Sequence, residues 1–310
     1  MFATWDKFAR GKRSKADVQA FARNLEPNIF ELQADLSSGR YRHGSYEPFI
    51  VHDPKRRQIH KASIRDRVVH QAVFDIIEPA FERQFIYDSF SCRRGKGTHA
   101  GVRRLARHLR RASRNNSRPV WALKCDIYQF FASVDHCKLL NLLSNSVTDE
   151  KVLNLLEEIV NSFSVSSGKG IPLGNVTSQL FANVYMHQLD FFIKHSLREK
   201  CYIRYCDDFV IIGSDRQHLL DLMKPIENFL EAELGLKLHP NKILLRKWSQ
   251  GIDFLGYVLK PHCTLIRTKT KYRMLKKVDS NNLASYLGLC SHADSYRLKQ
   301  QLITKLWLDP

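Results

Sequence analysis

The chain has 310 residues, of which 44% are hydrophobic and 11% aromatic, so it can build a large folded core and is not a disordered chain. Its 49 Lys and Arg residues against 31 Asp and Glu give a net charge of +18, which favours a polyanionic partner, most often nucleic acid. No apolar run is long enough to span a bilayer and the first residues do not read as a signal peptide, so we expect no membrane partner. Seven cysteines without a Cys-x-x-Cys pair argue against a disulfide frame or a zinc site and predict a cytoplasmic protein.

The first sixty residues change from a helical pattern to a strand pattern. Apolar positions over 15–36 recur at helical spacing and predict one helix. Residues 48–51 predict a strand, and the stretch 53–59 that follows reads as the basic tip of a hairpin. Lysine and arginine at such a tip could close over a triphosphate, because arginine offers a bidentate fork and lysine a point charge. A solvated basic turn is the alternative interpretation of this stretch.

Basic residues also mark the next part of the chain. The pattern predicts a strand over 64–69 that runs into a helix over 68–84, which Pro79 interrupts. A basic, glycine-containing loop at 91–98 then leads into a helix whose arginines fall on one face. Four like charges in a stripe repel one another unless an anion lies along them, so we interpret this face as a track for the template strand. The stripe comprises Arg103, Arg107, Arg110 and Arg114.

Three aspartates are the residues most indicative of chemistry. Asp126 ends a strand-like run at 120–125, and Asp207 and Asp208 lie between two apolar runs that predict a hairpin with the acids at its tip. An Asp pair in a turn is common without any catalytic role. If the strands are neighbours, however, three carboxylates converge at one edge of a sheet and repel one another unless a cation lies among them. Carboxylate oxygens suit Mg²⁺, and two such ions can serve a phosphoryl transfer.

The remaining patterns predict further elements around these acids. Residues 149–163 read as a core helix, and a loop rich in glycine and polar residues at 168–179 opens another helix. Ser214 and Gln217 predict a capping box at the start of the next helix. Residues 252–258 predict a second hairpin, and the chain that follows is basic and mostly helical in pattern.

The order of these parts resembles the palm of a reverse transcriptase, over roughly residues 30–300. The resemblance rests on Asp126 followed by Phe131, the loop with Gly174 and Ser178, Tyr-Cys-Asp-Asp at 205–208, Lys242, and Phe-Leu-Gly-Tyr at 254–257. The segment Ile-Pro-Leu-Gly-Asn-Val-Thr-Ser-Gln at 171–179 is similar to the form used by reverse transcriptases of diversity-generating retroelements. Most other reverse transcriptases have Gln in place of Leu173 and Pro in place of Gln179.

The resemblance implies an α+β chain with the right-hand polymerase fold. An N-terminal helix and the fingers would occupy residues 1–118, and the palm, an antiparallel sheet with helices on one face, would occupy residues 119–258. Fingers and palm together would form a reverse transcriptase domain over about 30–260. The basic residues 259–310 would form a small helical thumb.

The resemblance also assigns roles to individual residues. Asp126 and Asp207 would bind two Mg²⁺ ions, Asp208 would complete the acidic site, and the backbone of Ile127 would help to hold the metal of the nucleotide. Lys242 would act as a general acid toward pyrophosphate. The incoming nucleotide would contact Lys55, Arg57, Phe131 as the steric gate beneath the sugar, Leu173, Gly174 and Gln179. Primer and template would contact Arg94, Lys96, Arg103, Arg107, Phe254, Leu255, Gly256 and Tyr257.

The function implied is an RNA-directed DNA polymerase that copies a template-repeat RNA into cDNA, with frequent errors opposite adenine, to diversify a target gene. Its partners would be template RNA, the RNA/DNA hybrid, dNTPs and a small basic accessory variability protein. Leu173 offers a route to the errors, because a side chain without an amide makes fewer directional contacts to the nucleotide.

Three alternatives stay open at this point. One is a group II intron-like or phage-defence reverse transcriptase, against which Leu173 and Gln179 count. Another is an RNA-dependent RNA polymerase, which the steric gate Phe131 opposes. The third is a non-catalytic RNA-binding protein that kept the palm, although all three acids are present.

Overall fold

The computed structural model describes residues 1–52 and 56–308 and is a mixed α/β chain with antiparallel sheets. Its helices are α1 Phe2–Ala9, α2 Ala16–Arg23, α3 Leu25–Ser37, α4 Ile64–Glu82, α5 Thr98–Ala112, α6 Phe130–Ser133, α7 His136–Ser144, α8 Glu150–Asn161, α9 Val176–Phe191, α10 Arg216–Asp221, α11 Met223–Phe229, α12 Thr268–Lys277, α13 Leu283–Cys290 and α14 Tyr296–Leu308. Its strands are β1 Glu47–Val51, β2 Arg57–Lys61, β3 Trp121–Asp126, β4 Tyr202–Tyr205, β5 Asp208–Gly213, β6 Leu244–Lys247, β7 Ile252–Phe254, β8 Tyr257–Leu259 and β9 Thr264–Ile266.

The chain forms two compact units, and each is built from several stretches of sequence. The first unit comprises Met1–Ile86, Ile127–Phe191 and Glu227–Leu238. The second unit comprises Tyr87–Asp126, Phe192–Ile226 and His239–Pro310. Among the described residues, no helix is both long and apolar enough to cross a bilayer.

The first unit combines the β1–β2 hairpin with a helical core. The two strands are antiparallel, with Val51 opposite Arg57, so the predicted hairpin is present but residues 57–59 of its expected tip lie in β2. In the core α4 packs on α1 and α9, and α7 packs on α8 and α9. The residues at the centre are fully buried aliphatic and aromatic side chains, which stabilise the unit by removal of apolar surface from water. They include Ile29, Leu32, Val68, Leu139, Leu156, Phe181 and Leu189.

Two secondary-structure predictions in the first unit are wrong. The stretch 15–36 is two helices, because Asn24 has non-helical torsion angles (φ −120°, ψ 45°). Pro27 explains the break: it has no N–H to donate to a preceding turn, and in the first turn of α3 it needs none. Residues 64–69 are not a strand but the start of α4.

The start of α4 is fixed by a side-chain cap. The Ser63 hydroxyl accepts a hydrogen bond from the Asp66 N–H (3.1 Å) and donates one to Asp66 Oδ2 (2.7 Å). This cap gives the Asp66 N–H a hydrogen-bond partner within the first turn of the helix. In a strand, the same N–H would need an acceptor on a neighbouring strand. Pro79 does not interrupt α4 either, since it lies near the C-terminal end, where the buried Ile77 and Phe81 keep the last turn packed.

The second unit contains a four-stranded antiparallel sheet in the order β4-β5-β3-β6. Helix α5 packs against it through Leu105 and Leu109, which share a buried cluster with Ile203, Val210 and Ile212. Backbone hydrogen bonds between residues 88–90 and β4 cover the outer edge of that strand. A second sheet, in the order β7-β8-β9, carries the predicted hairpin at 252–258.

Three features of the second unit differ from the sequence-based expectations. Strand β6 has the charged sequence Leu-Leu-Arg-Lys, typical of an exposed segment, yet it pairs with β3 as an edge strand. Helix α5 ends at Ala112, so Arg114, at φ 49°, lies beyond the helix and outside the arginine stripe. The cap of α10 is Asp215, not Ser214: its carboxylate accepts from the N–H groups of Gln217 (2.8 Å) and His218 (3.3 Å).

We expect Asp215→Ala to destabilise the protein by about 1 kcal/mol, because two N–H groups of the first turn of α10 lose their acceptor. Ser214→Ala is the matched control and should leave the midpoint of urea unfolding unchanged. The reverse order of the two effects would restore Ser214 as the cap.

Candidate active site

The register of the central sheet brings two of the three predicted acids together. In the β3–β5 pair Asp126 lies directly opposite Asp208, at the end of the ladder. Directly opposed residues have Cβ atoms only about 4.5–5.5 Å apart, so the two carboxylates share one end of the sheet. Asp207 belongs to the two-residue turn, Cys206–Asp207, that joins β4 to β5.

The acids interact electrostatically and are partly removed from water. Burial is the main reason why the pKa of Asp208 is raised to about 6, and the charges of Asp126 and Asp207 add to it while Lys124 opposes it. Burial, followed by the charge of Asp126, also raises the pKa of Asp207. The fold therefore holds these carboxylates at an energetic cost, which is typical of functional sites.

Two lysines contact the acids. Lys242 Nζ lies 2.8 Å from Asp126 Oδ1, and Lys124 Nζ lies 3.1 Å from Asp208 Oδ2. Lys124 also donates to the Asp253 carbonyl (3.1 Å), which links the acidic end of the sheet to β7. Sequence reasoning missed Lys124, although strand alternation puts it on the same face as Asp126, two residues away.

The donor set fits a divalent cation, although its ligands are not preassembled. Within residues 1–52 and 56–308, no three His, Cys, Asp or Glu side chains are arranged as a metal-binding group. Asp208 Oδ1, however, is buried and has no hydrogen-bond partner, which leaves a hard oxygen available. Carboxylate oxygens suit Mg²⁺, whereas burial raises the pKa of the neighbouring Cys206 thiol and keeps it protonated. Asp126, Asp207 and Asp208 are therefore the residues that could hold Mg²⁺.

Two of the candidate nucleotide contacts, Leu173 and Gly174, lie in the 171–175 loop of the first unit. The Leu173 carbonyl accepts a hydrogen bond from the His60 N–H of β2 (3.0 Å), which ties the loop to the hairpin. Gly174 has φ 119°, and a Cβ there would lie 2.8 Å from Ile59 Cγ2, so only glycine fits.

The other candidates of this group are spread over three elements. Arg57 is exposed on β2, and Gln179 is exposed on the first turns of α9. Phe131 is half-buried in α6, with its ring edge-on to Phe130 at 5.3 Å. Ile127, whose backbone the resemblance assigns to the metal of the nucleotide, is buried and pairs with Leu238 in an isolated bridge. Lys55 lies outside the described residues.

The candidate primer and template contacts divide into exposed and buried side chains. Arg103 and Arg107 are exposed on α5, and Arg94 is exposed in the loop before it. Lys96 is half-buried, because its ammonium group donates to the Tyr87 carbonyl (2.5 Å) and lies over the Tyr87 ring.

The aromatic side chains of the hairpin at 252–258 are almost completely buried. Phe254 and Tyr257 are buried in the core, and the Tyr257 hydroxyl donates to the Leu289 carbonyl (3.0 Å). Leu255 and Gly256, both at positive φ, form the half-exposed turn. Direct contacts from this hairpin would therefore come from the turn.

Comparison with known proteins identifies the family of this architecture. A family model described as Reverse transcriptase (RNA-dependent DNA polymerase) matches residues 52–259. Protein YkfC of Escherichia coli (strain K12) is 23% identical over 282 residues, which cover 76% of this chain and 72% of that protein. The group II intron-encoded protein LtrA of Lactococcus lactis subsp. cremoris is 22% identical over 274 residues, which cover 66% of this chain and 45% of LtrA.

Solved structures agree on the fold. Telomerase from Candida tropicalis, solved with a TWJ fragment of telomeric RNA, matches with a TM-score of 0.54 at 14% identity and covers 90% of this chain. The chain spans 56% of that telomerase chain and less than half of LtrA, so it corresponds to part of those proteins. With the antiparallel sheets, this match confirms the predicted right-hand polymerase fold.

We expect Asp208→Asn to stabilise the protein at pH 8 and to have little effect at pH 4. The pKa of about 6 in the folded protein lies above the ordinary value of 3.8, so the wild type loses stability as the pH rises between these values. The uncharged variant escapes this loss, which amounts to about 1–3 kcal/mol. Urea unfolding without divalent ions measures it.

Asp149→Asn is the control for this experiment, because Asp149 is an exposed N-cap of α8 and asparagine caps equally well. A variant Asp208→Asn that is less stable than the wild type at pH 8 would mean that the Lys124 contact outweighs the cost of the charge.

Proposed function

This chain belongs to the reverse transcriptase (RNA-dependent DNA polymerase) family, and on that premise we propose that it copies template RNA into DNA at the acidic end of β3 and β5. The observation that carries the proposal is the ladder pair of Asp126 and Asp208, with Asp207 in the adjoining turn. A polymerase of this family would bind its metal ions through carboxylates that separate strands bring to one end of the sheet. The opposed pair Asp126 and Asp208 supports this role.

The three aspartates would hold the divalent ions that reverse transcriptases generally use. Bound Mg²⁺ would neutralise phosphate charge and lower the pKa of the attacking 3′-hydroxyl. Lys242 would donate a proton to the departing pyrophosphate, since its ammonium group already lies beside Asp126. Lys124 would hold Asp208 in place through its contacts with Asp208 and the Asp253 carbonyl.

The nucleotide and nucleic-acid contacts extend this proposal. Phe131 would exclude the 2′-OH of a ribonucleotide, and Lys55 and Arg57 would bind the triphosphate. The exposed Arg103 and Arg107 would contact the phosphates of template RNA and of the RNA/DNA hybrid. In this scheme residues 1–118 contribute the fingers, 119–258 the palm and 259–310 the thumb.

At a finer level, the 171–179 segment supports a reverse transcriptase of a diversity-generating retroelement. Leu173 would tolerate wrong nucleotides opposite adenine, because an apolar side chain discriminates by shape alone. The template would then be a repeat RNA, and a small basic accessory variability protein would assist. The intron-encoded relative favours the alternative, a group II intron-like reverse transcriptase, and a template/variable repeat pair beside the gene would decide between them.

Asp207→Asn should reduce Mg²⁺-dependent primer extension on an RNA template by at least about 10²–10³-fold, because loss of a metal-binding carboxylate removes several kcal/mol of charge stabilisation. RNA affinity should stay within about twofold, since phosphate contacts from arginine and lysine dominate it. Asp221→Asn, at an exposed acid of α10, is the control. Extension at the wild-type rate by Asp207→Asn would contradict the proposed metal role.

Leu173→Gln should lower misincorporation opposite template adenine several-fold, because the amide restores directional contacts to the nucleotide. Leu173→Met is the matched control, with similar size and no amide, and should keep the wild-type error pattern. Sequencing of cDNA from a defined RNA template, scored by template base, gives the result. An unchanged adenine bias in an active Leu173→Gln enzyme would remove this explanation of the errors.

A further inference from the structure

The side chain of Arg204, at the centre of β4, is completely buried, with 0% of its surface exposed. A guanidinium group is among the costliest groups to remove from water, so its contacts must repay that cost. Nη1 donates to the Cys206 carbonyl (2.9 Å), and Nη2 donates to the Ser89 hydroxyl (3.1 Å). The planar fork thus connects the turn after β4 with the segment that covers its edge.

The orientation of the Cys206 carbonyl affects the geometry of the acidic site. It belongs to the peptide unit between Cys206 and Asp207, so the direction of this carbonyl determines how the Asp207 side chain leaves the backbone. Cys206 has φ 59°, a left-handed conformation that favours glycine and persists only where the surroundings enforce it. The hydrogen bond from Arg204 supplies such an enforcing contact.

The other end of the fork is anchored by a network around Asp88. The Asp88 carbonyl accepts from the Arg204 N–H (2.9 Å), and the Arg204 carbonyl accepts from the Phe90 N–H (3.0 Å), so Ser89 lies fixed alongside β4. The buried Asp88 carboxylate is contacted by Arg104 Nε (2.5 Å) and Lys194 Nζ (3.1 Å). Burial would raise the pKa of Asp88, but His108 and Arg104 outweigh burial and hold it below its usual range.

We propose that Arg204 is a positioning residue, which holds the Cys206–Asp207 turn in the conformation that binds divalent cations. Lysine cannot replace it, because a single ammonium group does not span two acceptors with fixed geometry. Residues that orient metal ligands typically change metal affinity by about 10–100-fold when they are altered. This inference rests on the proposed function, since it assumes that Asp207 is a metal ligand.

The test measures Mn²⁺ binding to the full chain without nucleotide, by the electron paramagnetic resonance signal of free Mn²⁺. We expect Arg204→Lys to weaken Mn²⁺ binding about tenfold or more, while template RNA affinity stays within about twofold. Arg65→Lys is the matched control, because Arg65 pairs with Asp35 (2.7 Å) in the first unit and belongs neither to the turn nor to the network around Asp88. It should lower the urea midpoint without weakening Mn²⁺ binding.

The outcomes distinguish a failure of the proposed metal site from a failure of the positioning role of Arg204. If the wild type binds Mn²⁺ no better than Asp207→Asn, the proposed metal site fails, and the role of Arg204 with it. If Asp207→Asn loses binding while a folded Arg204→Lys binds like the wild type, the positioning role is overturned and the metal site stands. Should Arg204→Lys not fold, Ser89→Ala replaces it: it releases one arm of the fork and should weaken Mn²⁺ binding measurably, and wild-type binding would overturn the proposal.

Discussion

The burial of mutually repelling carboxylates at one end of a sheet is the constraint on which this molecule depends. Asp126 and Asp208 oppose each other in the ladder, and Asp207 lies in the turn before β5. Burial is the main cost of charging Asp207 and Asp208, and the neighbouring carboxylates add to it. Two ammonium groups reduce that cost: Lys242 lies beside Asp126, and Lys124 lies beside Asp208. A site of this kind gives up stability to keep an affinity for added cations, which is the usual relation between stability and function at active sites.

The same constraint explains the polar interior behind the acids. A charged side chain as deeply buried as Arg204 would be a liability in an ordinary core. Here it connects the Cys206 carbonyl to Ser89, and the neighbouring Asp88 gathers Arg104 and Lys194 around one carboxylate. Polar networks with fixed donors and acceptors specify one backbone conformation more strictly than apolar packing does, and a turn that presents a metal ligand requires such strictness.

In the first unit, a loop is held against a hairpin that buries few of its own side chains. Most residues of β1 are exposed, so the hairpin gains little from burial. The His60 N–H donates to the Leu173 carbonyl and attaches the hairpin to the 171–175 loop. Gly174 permits this close approach because it has no side chain to contact Ile59. Residues proposed to sense the triphosphate and the nucleotide are therefore mechanically connected within this unit.

The amino-acid sequence by itself determined the hairpins, most helices and the identity of the acids, because apolar periodicity and turn residues are local signals. It missed β6, whose charged residues conceal an edge strand, and it mistook the start of α4, where the Ser63 cap decides the outcome. Only the tertiary structure decided that Asp126 faces Asp208, that Lys124 reaches Asp208, and that Arg204 reaches the turn. The physical reason is that these contacts join segments distant in sequence, and strand register and main-chain acceptors leave no mark in residue type.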